Sequence, residues 1–285
     1  MMSLIPKWLE RYSRQIVLPE IGSEGQKRLS KSSVAIIGCG ALGSAAAQLL
    51  VRAGVGRIRV IDRDFVEFSN LQRQILYNEE DVRSGHPKAI VCAEKLRKIN
   101  SSIEIEPVVD DVNPRNVEEL IEGVDLVIDG LDNFETRFLI NDVALKNHIP
   151  WIYAAAISTY GMTMNIIPGE TACLRDLIST PPPPGSLPTC ETAGILNSVP
   201  IAIASIEVTE AIKILLGKDY RRNEALFWDL WNGELLRIKV SRRKNVKIPD
   251  PSHCRRCQNS HWWFWRYFIQ YLCPRIGRCR NPGCH

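Results

Sequence analysis

Long apolar runs are missing from this sequence. Its most apolar windows, such as Ser198–Ile206, stop well short of the ~20 residues a membrane-spanning helix needs, so no membrane span is expected. The opening MMSLIPKWLERYSRQ lacks the apolar core of a secretory signal, and the expected location is cytoplasmic. No internal repeat is visible. Hydrophobic residues make up 45% and charged residues 24%, which excludes a disordered chain, a collagen-like repeat and a coiled coil. A basic body is also missing. The net charge of +4 hides an uneven distribution: ten Lys/Arg and one Asp between Ser241 and His285 give +9, which leaves −5 for the rest. Nucleic-acid binding by the body therefore gains no support from charge.

Cysteine, by contrast, is abundant. Of nine, Cys39, Cys92, Cys173 and Cys190 are spread through the body. The other five, Cys254, Cys257, Cys273, Cys279 and Cys284, crowd the last 32 residues. In a reducing compartment this spacing favours metal binding or catalysis over disulfides. Cys39 and Cys92 read as packing residues.

The 285 residues allow one large domain or two small ones, at roughly 150 residues per domain. Strand and helix signals alternate through the first half. Strands are predicted at Val34–Ile37, Arg57–Ile61, Ile103–Val109, Val124–Ile128 and Trp151–Ala156. Helices are predicted at Ala41–Ala53, Pro87–Ile99, Pro114–Glu122 and Asn133–Asn147. That alternation implies a parallel sheet covered on both faces. A further strand follows at Met162–Ile167, then an irregular stretch from Glu170 to Asn197 holding Pro181–Pro184. A nearly apolar helix, Ser198–Leu216, is closed by Gly217, and strands at Ala225–Trp231 and Glu234–Val240 flank the hairpin signal Asn232-Gly233. The fold class is α/β, a Rossmann-like mainly parallel sheet with antiparallel C-terminal strands.

Gly38-Cys-Gly-Ala-Leu-Gly43 is a full G-x-G-x-x-G between a strand and a helix. Asp62 ends the next strand, 19 residues beyond Gly43. Glycines let a backbone approach a phosphate, a helix N-terminus donates amides, and the acid accepts from a ribose hydroxyl. Alone, this suggests an NAD-dependent oxidoreductase. The neighbours point elsewhere. Ser69-Asn-Leu-Gln-Arg-Gln74 follows the acid, Lys88 lies in Gly85-His-Pro-Lys88, and Asp129-Gly-Leu-Asp132-Asn133 closes the fourth strand. Arg73 and Lys88 would neutralise developing charge on a triphosphate, and an Asp of this set would hold Mg²⁺.

These elements, with Arg11-Tyr-Ser-Arg14-Gln-Ile and Thr189-Cys190-Glu-Thr-Ala-Gly194, resemble the MoeB/ThiF/HesA family, relatives of the ubiquitin-activating enzymes, over roughly Leu9 to Cys257. The resemblance implies homodimers that bind MgATP and adenylate the C-terminal Gly-Gly carboxylate of a ubiquitin-like sulfur carrier. It implies nucleotide contacts from Gly38, Gly40, Ala41, Gly43, Asp62, the run Ser69, Asn70, Leu71, Gln72 and Arg73, then Lys88, Asp132 and Asn133. Arg14 would reach the partner subunit's site, and Cys190 would be a thioester or persulfide cysteine in some members. The alternatives are an activating enzyme for a modifier conjugated to proteins, an NAD-dependent oxidoreductase, and a non-catalytic scaffold. Thiamine, molybdopterin and tRNA thiolation pathways are not separated by these motifs.

The family's structural zinc uses two C-x-x-C pairs. Here Cys254-Arg-Arg-Cys257 is intact, while the first pair reads Cys173-Leu-Arg-Asp176. A Cys₃Asp set is one possibility, and His253 or a tail cysteine could replace Asp176. The expected division is an adenylation domain over 1–257 and an aromatic, Cys-rich basic tail over 258–285. The chain stops 28 residues past Cys257 without a rhodanese domain, so a separate sulfur donor is expected.

Overall fold

The computed structural model describes residues 10–182, 189–220 and 223–243. Cys254, Cys257, His253, the tail 258–285 and part of the Pro181–Pro184 run lie outside the described residues.

Among the described residues eight strands form one sheet: β1 (Ser33–Ile37), β2 (Arg57–Ile61), β3 (Glu104–Val108), β4 (Leu126–Asp129), β5 (Trp151–Ile157), β6 (Tyr160–Ile166), β7 (Glu224–Asp229) and β8 (Glu234–Lys239). Their order is β3-β2-β1-β4-β5-β6-β7-β8. The first five run parallel and the last three antiparallel, as the sequence led us to expect. Central β1 and β4 are apolar on both faces and nearly wholly buried. The edge strand β3 carries Pro107, tolerated where one ladder side is free. There Arg57 and Arg59 of β2 pair with Glu106 of β3 at 2.7 and 3.1 Å.

Among the described residues, five helices of eight or more residues cover the sheet: α1 (Gly22–Leu29), α2 (Ala41–Ala53), α3 (Lys88–Ile99), α4 (Phe134–Lys146) and α5 (Ser198–Leu216). One apolar cluster joins residues of α2, α3 and α5 to one sheet face, with Leu50, Leu96, Val199 and Ile203 fully buried. A second joins α4 to the other face through Phe138, Ile140, Trp151 and Met164. Each such side chain contributes roughly 1.5–3 kcal/mol. Gly54 and Gly217 end α2 and α5 in the left-handed conformation.

Two expectations are corrected. The helix predicted over Pro114–Glu122 is a single turn, Val117–Leu120, stopped before Gly123 at φ +70°. The β7–β8 hairpin forms, but Asn232-Gly233 is not its two-residue turn. The loop spans 230–233, and the Asp229 carboxylate accepts from Trp231 N, Asn232 N and Asn232 Nδ2 at 3.1, 3.4 and 2.7 Å. A carboxylate at the loop's base supplies the acceptors that a tight turn would find in its own backbone. Cys39 and Cys92 are packing residues, 1% and 0% exposed.

The chain moves outward from β1 to β3, then crosses back to place β4 on the other side of β1. This is a topological switch point, and a crevice opens beyond the strand ends there. Two glycine loops meet at it. A side chain on Gly38 would start 2.6 Å from Gly130 O, and one on Gly130 would start 2.3 Å from Gly38 O. A side chain on Gly43 would start 1.8 Å from Gly38 O. Gly43→Ala must therefore force the turn and α2 apart. Urea denaturation should show a loss of about 4 kcal/mol or more, and a loss below about 1 kcal/mol would contradict this packing.

Candidate nucleotide site at the switch point

The glycine turn leads into α2, whose first N–H groups have no side-chain cap because Gly40 is the N-cap residue. Gly40 differs from its neighbours. Its φ of −74° is open to any residue, and the space where a side chain would start is clear to 3.8 Å. Neither strain nor packing requires glycine there. The clear space lets a ligand oxygen approach the backbone at a helix N-terminus, which suits a phosphate.

Asp62 stands at the end of β2. Its Oδ2 accepts from Cys39 N at 2.7 Å and its Oδ1 from Asp64 N at 2.8 Å. Burial raises its pKa against the pull of those N–H groups and of Lys88. Lys88 opens α3 and is 7% exposed. Its Nζ lies 3.3 Å from Asp64 Oδ2, and its backbone N donates to Asp64 O at 2.7 Å. A buried cation held beside one exposed carboxylate is available to an incoming anion. Asp64 was missed by the sequence reading, since nothing in a loop acid announces such a partner.

The 69–74 run is an organised turn. Asn70 is buried, and its Oδ1 accepts from Glu67 N at 3.2 Å, closing a capping box with Glu67. Leu71 packs against the core. Ser69 and Gln72 are exposed, with Ser69 Oγ 3.2 Å from Glu67 Oε2 and Gln72 Nε2 3.4 Å from Ile195 O. Arg73 is half-buried and donates to Ser69 O at 2.8 Å. Beneath the glycine turn, Tyr77 Oη donates to Cys39 O at 2.8 Å.

On the β4 side, Asp132 is exposed and Asn133 caps α4 by accepting from Thr136 N at 2.9 Å. An exposed carboxylate is a hard oxygen donor of the kind Mg²⁺ takes. Cys190 opens the turn Cys190–Ala193, with Thr189 as N-cap. Burial raises its pKa, Arg73 pulls it down and Asp132 pushes it up. The thiol thus stands in the fields of both site residues. The segment behind it is fixed by Ser158 N donating to Gly194 O and Leu196 N to Ser158 O, at 2.9 and 2.8 Å.

Arg14 is exposed on the turn Ser13–Ile16. Its neighbours explain the turn's placement: Tyr12 Oη accepts from Asn100 Nδ2 at 2.8 Å, and Gln15 Nε2 donates to Ala53 O at 2.9 Å. Ala41 begins α2.

A further charged group lies under the β4 loop. Asp129, Arg137 and Glu207 are 0%, 3% and 0% exposed. Arg137 Nε donates to Asp129 Oδ2 at 2.9 Å, and Glu207 Oε1 accepts from Asp129 N at 3.2 Å. Arg137 and Glu207 were not singled out in the sequence. The available signal was an acid inside the nearly apolar run of α5.

For zinc, the structure places two of the four expected ligands. Cys173 is buried and Asp176 follows it in one capping box, with Asp176 Oδ2 accepting from Cys173 N at 2.8 Å. Asp176 Oδ1 accepts from Arg243 N at 2.9 Å. Thiol and carboxylate are adjacent, as a chelating pair requires, though both carboxylate oxygens already accept backbone N–H groups. Among the described residues no group of three or more His, Cys, Asp and Glu could hold a metal. Among the described residues no helix is long and apolar enough to cross a membrane.

The sequence profile of the ThiF family matches residues 12–255. The chain belongs to the ThiF family. It is 44% identical over 240 residues to the sulfur carrier protein ThiS adenylyltransferase of Bacillus subtilis (strain 168), covering 84% of this chain and 70% of that protein. It is 42% identical to the sulfur carrier protein adenylyltransferase of Thermus thermophilus, covering 85% and 90%, and 41% identical to the SAMP-activating enzyme E1 of Haloferax volcanii, covering 80% and 84%. The solved structure of E. coli MccB with ATP matches with a TM-score of 0.72 over 86% of this chain and 76% of that one, at 22% identity. That likeness concerns the fold.

Glu207 gives this ThiF-family chain a measurable pH signature. Burial and the Asp129 charge hold its pKa well above the ordinary value. A carboxyl raised in the folded state stabilises fully below its unfolded pKa, and that contribution is lost as pH rises through the folded value. Glu207→Gln keeps an acceptor for Asp129 N and cannot ionise. Its stability relative to wild type should therefore rise as the pH climbs above the ordinary carboxylate range. A difference independent of pH would show that Glu207 does not titrate there.

Proposed function

We propose that this protein adenylates the C-terminal Gly-Gly carboxylate of a ubiquitin-like sulfur carrier with MgATP, releasing pyrophosphate. What carries the reading is the 44% identity to a ThiS adenylyltransferase, joined to a clear glycine cradle at Gly40. A carboxylate is a poor electrophile, and joining it to AMP gives it a good leaving group. The enzyme's task is then to align the carboxylate with the α-phosphorus and to stabilise added charge.

In this reading the turn Gly38–Gly43, with Ala41 at the start of α2, receives phosphate, and Asp62 accepts from the ribose hydroxyls. Ser69, Asn70, Leu71 and Gln72 form the wall that carries Arg73. Arg73 and Lys88 neutralise the triphosphate, and Asp132, next to Asn133, holds Mg²⁺, which supplies charge stabilisation when bound. Arg14 completes the site of the other subunit in a homodimer. Cys190 attacks the adenylate or carries sulfur, a role supported by the influence of Arg73 and Asp132 on its thiol, and a separate protein donates that sulfur. Residues 1–257 form the adenylation domain. Cys173, Asp176, Cys254 and Cys257 are the candidate zinc ligands, supported by the Cys173–Asp176 adjacency. The cytoplasm is the compartment that keeps such thiols reduced.

The 41% identity to a SAMP-activating enzyme favours one second reading, in which the carrier is a modifier conjugated to proteins. Both readings share the adenylation step. Asp132→Ala should abolish ATP–pyrophosphate exchange while leaving the thermal unfolding midpoint near wild type, because Asp132 is exposed. Near-normal exchange in that variant would overturn the assignment. In the same preparation Cys190→Ser should retain exchange and lose any thiol-sensitive carrier adduct; an adduct that persists would remove Cys190 from the mechanism.

A further inference from the structure

Asp132 is exposed and belongs to the short loop 130–133 between β4 and α4. Side-chain bonds hold the peptide just before it on both sides. Leu131 N donates to Asp129 Oδ1 at 2.9 Å, and Leu131 O accepts from Arg137 Nη2. Arg137 then ties the loop to the next strand, donating from the same nitrogen to Ala154 O at 2.8 Å and from Nε to Asp129 Oδ2 at 2.9 Å. Asp129 Oδ2 also accepts from Ala154 N at 3.3 Å. The rings of Phe134 and Tyr153 each lie 5.4 Å from the guanidinium carbon. That leaves the planar group one orientation. Glu207 of α5 accepts from Asp129 N at 3.2 Å.

We propose that Arg137 is a positioning residue for Asp132. The guanidinium bridges three acceptors on β4, the loop and β5, and so fixes the direction in which Asp132 leaves the sheet. Its charge also acts on Asp132 and on Cys190, so one buried cation joins the carboxylate that holds Mg²⁺ to the nearby thiol. Lysine keeps that charge but has no planar fork with which to bridge the three acceptors. The proposal rests on the reading of Asp132 given above.

The test is calorimetric titration with ATP, with and without Mg²⁺, on wild type, Arg137→Lys and Asp132→Ala. For folded Arg137→Lys the Mg²⁺ concentration that half-saturates the effect on ATP binding should rise at least tenfold. Mg²⁺-free ATP affinity, set by the glycine turn, Arg73 and Lys88, should stay within twofold of wild type. Unchanged Mg²⁺ dependence overturns the proposal, and so does an equal loss with and without Mg²⁺, which would mark a merely structural role. If Arg137→Lys does not fold, the double variant Asp129→Asn with Arg137→Gln removes both buried charges together and is read by the same criteria. A wild-type protein whose ATP binding ignores Mg²⁺, matched by Asp132→Ala, overturns the reading of Asp132 and the proposal with it. Failure of Arg137 alone is told apart because Asp132→Ala then still abolishes the Mg²⁺ effect.

Discussion

The contact between two backbones at the end of the central strands sets the rest of this structure. Gly38 and Gly130 approach so closely that neither could carry a side chain, and Gly43 brings the first turn of α2 onto the same spot. Sheet order places β1 beside β4, and the register aligns Ile37 with Asp129, so both loops leave the sheet at one level. Everything offered to a ligand follows from that meeting. The start of α2 faces one side of it, and Asp132 and α4 leave from the other.

Charge around this point is layered by depth. At the surface, Asp132 and the half-buried Arg73 are reachable from solvent. Beneath them, Lys88 is buried with Asp64 as its partner. Deeper still, one guanidinium faces two carboxyls in a region closed to water. Arg137 neutralises Asp129 directly, while Glu207 has an oxygen without a partner. Two buried carboxylates against one cation would leave an uncompensated charge, so the raised pKa of Glu207 is the expected response. The layering separates groups that can move with a ligand from groups that hold the scaffold still.

Much of this was legible in the sequence. Apolar runs of four or five residues, each followed by a helical period, identify the parallel strands, because burial on both faces leaves a plain local signature. The glycine motif, Asp62 and the β4 acid could be assigned to one crevice because strand ends in such sheets converge by topology. Other features depended on contacts remote in sequence. The hairpin turn was misread because the Asp229 carboxylate replaces the backbone acceptors that the Asn-Gly rule assumes. The Pro114–Glu122 pattern contracts to one turn at Gly123. Glu207 meets Asp129 across 78 residues, which no window reading can find. Asp176 accepts from one N–H three residues back, Cys173 N, and from another 67 residues away, Arg243 N.

Carboxylate activation by AMP transfer is the central claim, and it has a direct assay. ATP–pyrophosphate exchange would be followed with a panel of small carriers ending in Gly-Gly, each tested with and without its last glycine. The account predicts exchange with at least one intact carrier and none with its shortened form. Exchange that proceeds equally without the terminal glycine, or tight nicotinamide binding with no ATP binding, would contradict it.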